Sequence, residues 1–234
     1  MRDLGRLVAD LGALVLPADC AGCGERRPGL RHGVCPDCVA VLDGLRPRPV
    51  RPTPAPAGLP PCVALGPYAG PLRETLLAYK DHGRHGLARP LGALLAEVVA
   101  VAVGAARPVL LVPVPDTPAA ARARYGDHLG RLARHCAGRL RGVGWPVAVR
   151  HALRALPRPD SVTLDSAGRA AAAEAAFRPR RGWRPVPADA AVVVLDDIVT
   201  TGSTLAAVSR ALTATGRAPS VAAVLAATEK RHQS

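Results

Sequence analysis

Short, continuous apolar runs alternate along most of this chain with longer stretches in which apolar residues recur every three or four positions. The runs are CVALGPY from Cys62, PVLLVPVP with its strand core at Val109 to Val114, WPVAVRHAL, AAVVVLDD ending at Asp197, and APSVAAVLAA ending at Ala227. Runs of this length, rich in Val and bounded by Gly and Pro, predict strands buried on both faces. The intervening segments predict helices. PLRETLLAYKDHG has Pro71 near its start, where a proline is tolerated. GLARPLGALLAEVVAVAVGAA and GSTLAAVSRALTATG follow the same rule, and TPAAARARYGDHLGRLARHCAGRLRG reads as one long helix or as a loop and then a helix. Strands alternating with amphipathic helices predict an α/β fold with a parallel sheet covered on both sides.

The pattern is different before Cys62. MRDLGRLVADLGALVLP has Leu4, Leu7, Val8, Leu11, Leu14 and Val15 at helical spacing, which predicts a short amphipathic helix stopped by Pro17. Asp3 and Asp10 break any secretory apolar core. Residues 46–61, RPRPVRPTPAPAGLPP, contain seven prolines and predict an extended, semi-stiff spacer with no helix or sheet of its own. Three parts are therefore expected: a segment over 1–45, the linker 46–61 and an α/β domain over 62–234.

The composition refines this picture. Aromatic residues make up 3% of the 234, so the core must be aliphatic. The longest apolar stretch, Leu91 to Ala106, carries Glu97 and falls short of the ~20 residues a membrane span needs. A soluble, cytoplasmic protein is expected. The formal charge of +13 comes almost wholly from arginine, because Lys80 and Lys230 are the only lysines. It suits a phosphate-bearing partner, but the arginines are spread along the chain, as a general compositional bias would also spread them.

Cys20, Cys23, Cys35 and Cys38 form two Cys-x-x-Cys knuckles, CAGC and CPDC, eleven residues apart. Each knuckle converges two sulfurs, and two knuckles supply the four thiolates of a tetrahedral Zn2+ site. A segment with so few large apolar residues needs such a staple, so a small structural, zinc-ribbon-like segment is expected. Cys62 and Cys136 stand alone and read as buried apolar side chains.

The most informative stretch is AAVVVLDDIVTTGSTL, Ala190 to Leu205. Ligands of open α/β sheets bind beyond the carboxyl ends of the strands. Asp196 and Asp197 lie at such an end, where carboxylates accept hydrogen bonds from vicinal hydroxyls or help hold a hydrated cation. Thr200, Thr201, Gly202, Ser203 and Thr204 then lead into a helix. Helix N-terminal amides attract phosphate, Gly202 allows close backbone approach, and the hydroxyls donate to phosphate oxygens. Acids for a sugar and a cradle for phosphate describe a sugar 5-phosphate. There is no lysine for a Walker loop, and no dinucleotide fingerprint.

VVVLDDIVTTGSTL resembles the phosphoribosyl-pyrophosphate motif of the type I phosphoribosyltransferases. Together with the cysteine knuckles, YAGPLRETLLAYKDHG, LLVPVP, RYGDHLGRLA and LRALPRPDSVTLDSAGR, it resembles the ComF family, a competence-associated branch of that fold. The resemblance implies a phosphoribosyltransferase-like domain in which Asp196 and Asp197 bind ribose hydroxyls and residues 200–204 hold the 5-phosphate. It implies that Pro113, Val114 and Pro115 turn beside the pyrophosphate with amides facing it, that Lys80 and Arg124 neutralise its charge, and that Mg2+ bridges its oxygens to the ribose. The family commonly has Arg-Gly-Phe-Asn-Gln near Arg124; here Asp127 and His128 replace the two amides. Ser161 and Ala172 are further differences, falling where the family has a glutamine and the asparagine that follows the arginine matched by Arg169.

Three functions fit. One is a phosphoribosyltransferase with an acceptor the sequence does not name. Another is an accessory protein of DNA uptake that binds single-stranded DNA and works with a helicase-type partner. The third is a sensor that binds phosphoribosyl pyrophosphate without turning it over. Scarce aromatics leave DNA binding to backbone electrostatics.

Overall fold

The computed structural model describes residues 19–124, 126–156, 176–180 and 189–228. The expected N-terminal helix, Tyr125, Ser161, Arg169, Ala172 and Lys230 lie outside them. The described strands are β1 (Arg48–Val50), β2 (Cys62–Pro67), β3 (Val109–Pro113), β4 (Val147–Val149), β5 (Leu153–Ala155), β6 (Phe177–Pro179), β7 (Ala191–Val199) and β8 (Val221–Ala227). The described helices are α1 (Pro36–Gly44), α2 (Gly70–Lys80), α3 (Ala88–Val103), α4 (Pro118–Ala123), α5 (His128–Arg141) and α6 (Ser203–Thr213). The stretch from Thr117 to Gly142 thus forms two helices, as Gly126 with φ +115° interrupts them.

The fold is α/β with a mixed, mostly parallel sheet in the order β1-β2-β8-β7-β3-β4. Only β1 runs antiparallel, pairing Val50 with Cys62 at one edge. Strands β3, β7 and β8 are apolar and buried almost throughout, as expected of parallel strands covered on both faces. Helices α3 and α5 pack together against the sheet, α3 chiefly on β2 and β8, α5 on β3 and β4. They meet closely because Gly92 has no side chain: a Cβ there would lie 2.5 Å from the Cβ of His135. Helix α6 covers β7, and the reversed direction of its crossover puts it on the other face. Ala206 and Ala207 on α6, with Ala222, Ala223 and Ala226 on β8, are fully or nearly fully buried. A core with so few aromatics reaches normal density through small residues that let layers approach. The antiparallel pair β5–β6, absent from the sequence expectation, packs beside α6.

Residues group into two compact units, divided differently from the sequence reading. One combines the described part of Met1–Leu45 with Ala69–Leu87; the other combines Arg46–Tyr68 with the described parts of Ala88–Ser234. Helix α2 therefore belongs with the cysteines. The physical tie is Arg84, whose guanidinium donates to the carbonyls of Asp19 at 2.8 Å and Gly33 at 3.2 Å.

The proline-rich segment is not a free spacer. It supplies β1, and Arg210 of α6 donates to the carbonyl of Ala57 at 2.7 Å. Proline tolerates an edge strand, and extended chain can dock by side-chain packing without a full ladder. His85–Val103, which includes α3, is apolar and long enough by composition to cross a membrane, but half of it is buried; Leu91, Leu95, Val98 and Val99 of α3 are core residues of the α/β unit.

Candidate functional site

The strand order contains one point where neighbouring strands send the chain in opposite directions. From β3 the chain passes through α4 and α5 to β4; from β7 it passes through α6 to β8, on the other side. Such a switch leaves a crevice beyond the carboxyl ends of the two strands, which is where open α/β sheets bind ligands. The carboxyl ends of β3 and β7 carry Pro113 to Asp116 and Asp196 to Gly202.

Strand β7 runs past the two aspartates to Val199, so successive side chains alternate. Asp196 is half-buried and its Oδ1 accepts from the Asp197 amide at 2.9 Å. Asp197 is 5% exposed. Thr200, Thr201 and Ser203 are exposed, and the hydroxyls of Thr201 and Ser203 lie 2.9 Å apart. Gly202 caps α6 with φ +76° and no side-chain cap bond. A Cβ on it would sit 3.0 Å from Leu59 and 3.3 Å from Pro52, so the proline-rich segment packs directly on this loop. Leu59 and Pro52 have no signal in the sequence that ties them to Gly202.

Across the crevice, one expectation is corrected. Pro113 and Pro115 have no N–H, and the Val114 amide donates to Leu195 of β7 at 2.9 Å. None of the three offers an amide to a ligand. Asp116, one residue further, is the polar group that β3 delivers. Its Oδ1 accepts from Arg124 at 2.9 Å, and its Oδ2 lies 2.8 Å from Nδ1 of His128, an ion-pair contact without hydrogen-bond angles. His128 reaches Asp197 Oδ2 through Nε2 at 3.3 Å. Burial pushes the His128 pKa down, but the polar contacts and charges of Asp116 and Asp197 outweigh it and raise it to about 9. Asp127, at the N-cap of α5, accepts from the Gly130 amide at 2.7 Å.

The structure therefore joins Asp116, Arg124, His128 and Asp197 in one network. Arg124 is where the sequence expected a cation, although its visible partner is an aspartate. Lys80 ends α2, in the unit that holds the cysteines. Asp116 and His128 were not expected as site residues. Their signals are an acid directly after a buried strand, as at Asp196, and an Asp-His pair opening a helix.

The four cysteines converge in the other unit. One sulfur from each of Cys20, Cys23, Cys35 and Cys38 lies within 4.8 Å of the others, and those of Cys23 and Cys35 are 4.0 Å apart. Four thiolates at about 2.3 Å from a tetrahedral ion would be about 3.8 Å apart, so the set fits a metal ion. Cys35 precedes α1, with Pro36 opening the helix. The Gly22 and Cys35 amides point at Cys20 Sγ at 3.3 and 3.2 Å. Burial raises the Cys20 thiol, but the amides of Cys35, Cys23 and Gly22 bring it down to about 6. Burial and the neighbouring Cys35 and Cys20 push Cys38 up. Cys62 and Cys136 are buried, and desolvation raises them to about 11 and about 12.

No protein-family model matches this chain, and no curated protein matches it.

Proposed function

We propose that this chain is a phosphoribosyltransferase-like protein of the ComF type, binding phosphoribosyl pyrophosphate or a related sugar phosphate, with a role in DNA uptake. The observation that carries the reading is the coincidence of the Asp196–Thr204 motif with the crevice at the β3–β7 switch. In this reading Asp196 and Asp197 accept the ribose hydroxyls. The amides opening α6 and the hydroxyls of Thr200, Thr201, Ser203 and Thr204 receive the 5-phosphate. The chain contributes orientation and charge complementarity: it holds C1 of the ribose open to a nucleophile as pyrophosphate departs.

Mg2+ would be carried by the phosphate oxygens and water of its ligand, and when bound it would neutralise leaving-group charge. Zn2+ is the ion that four thiolates in this arrangement favour, and its role is structural.

The test is calorimetric titration of Mg2+ and phosphoribosyl pyrophosphate into the wild type and Asp196→Asn. Asp196 is half-buried, so the variant removes an acceptor without opening the core. Saturable binding that weakens at least tenfold in the variant supports the reading. Equal binding by both removes Asp196 from the site, and no binding by the wild type refutes the reading.

A second reading, single-stranded DNA binding, is favoured by the outer face of α5, where Arg134, Arg139 and Arg141 are exposed. It predicts affinity falling steeply with salt, little sequence preference, and insensitivity to Asp196→Asn.

A further inference from the structure

We infer that His128 is a positioning residue of the sugar-phosphate site, a charged strut that fixes the ribose-side carboxylate Asp197 and ties it to Asp116 at the end of β3. This rests on reading the switch point as a sugar-phosphate site. The geometry favours a particular protonation state. Ionised carboxylates only accept hydrogen bonds, whereas neutral imidazole has one donor and one lone pair. His128 has a carboxylate at each nitrogen, at 2.8 and 3.3 Å. A neutral ring would turn a lone pair toward one of them. Arg124 lies 2.9 Å from the other oxygen of Asp116.

Helix stability does not account for the arrangement. His128 is the first residue of α5, where the helix dipole disfavours a cation, and it is 4% exposed, where burial disfavours charge. Both costs are offset by the two aspartates. Within the network Asp116 and Asp197 stand against Arg124 and His128, and Asp196 beside them adds a further negative charge. Removing the imidazolium would add to the negative charge beside a ligand that is itself polyanionic. It would also take from Asp197 the buried partner that faces its Oδ2. Asp116 and Arg124 face this network from the segment after β3, and Asp197 faces it from β7. Asp127 precedes His128, and His151 lies 3.6 Å from Asp127.

The experiment uses the full chain and has two arms. Heteronuclear NMR of the histidine ring nitrogens at pH 7.5, without ligand, should find protons on both nitrogens of His128. Asp116→Asn and Asp197→Asn should each return the ring to a neutral tautomer. A bare nitrogen in the wild type overturns the inference. Calorimetry with Mg2+ and phosphoribosyl pyrophosphate is the second arm. His128→Gln should bind about tenfold more weakly at pH 7.5, as expected for loss of one charge-assisted bond. Wild-type affinity should fall above pH 9, while that of His128→Gln stays flat. Should His128→Gln fail to fold, Asp116→Asn keeps the volume of the site and should show the same weakening. Unchanged affinity in both variants overturns the positioning role. A doubly protonated ring in a wild type that binds no ligand refutes the sugar-phosphate reading and the positioning role with it, leaving only the charged pair. A bare nitrogen with intact binding refutes the strut alone.

Discussion

At Gly22 and Gly202 a side chain has no room. A Cβ on Gly22 would lie 2.8 Å from Cys38 Sγ and 2.9 Å from its Cβ, so Gly22→Ala forces the knuckles apart. The variant should retain less metal after purification, measured by metal analysis against the wild type. Gly202→Ala meets two obstacles. Its φ of +76° costs a non-glycine residue about 1–2 kcal/mol, and its Cβ would press on Leu59. A drop in Tm of roughly 2–8 °C is expected. His128 makes a pH prediction whose sign is fixed by its raised pKa. The folded ring binds its proton more tightly than the unfolded ring. Its stabilisation is therefore complete below about 6.5 and lost as pH rises through about 9. On the order of 3 kcal/mol is at stake for so buried a group. Thermal scans should give a Tm that falls between pH 6.5 and 9 in the wild type and much less in His128→Gln; parallel slopes would contradict the charged ring.

At the scale of elements, regular periods were legible and docking was not. The apolar runs at Val109 and Ala191 gave β3 and β7 because a strand buried on both faces has little freedom of composition. The Thr-Thr-Gly-Ser-Thr sequence marked the turn between β7 and α6, where Gly202 takes a φ of +76° that other residues avoid. The β5–β6 pair, only three residues per strand, carries too short a pattern to read. The proline-rich segment misled because composition sets stiffness but not what a stiff chain leans on. Its contacts with Gly202 and Arg210 are made by residues remote in sequence. Leu59→Ala should therefore loosen the loop at α6, lowering Tm modestly and raising amide exchange at residues 200–204, whereas a mere spacer would leave both unchanged.

At the scale of the molecule, the cysteines and α2 make one unit and the sheet another, each with its own means of support. The sheet unit has a continuous aliphatic core. Among the described residues of the cysteine unit, Leu42, Leu72, Leu76 and Tyr79 are large and buried, and in the proposed reading a metal held by the four cysteines supplies the rest of its support. Structural zinc contributes about 10–16 kcal/mol in small metal-stapled peptides. Freshly purified protein should carry one equivalent of zinc, and chelation should unfold the cysteine unit while the sheet persists by circular dichroism. Less than half an equivalent would count against the site. The central claim concerns the crevice between β3 and β7. It is tested most directly by adding ribose 5-phosphate to isotopically labelled protein and following the backbone amides. The account predicts saturable shifts of Gly202, Ser203 and Thr204, at the opening of α6, with smaller ones at Asp196 and Asp197. Saturable shifts confined to other surfaces, or none at all, would contradict it.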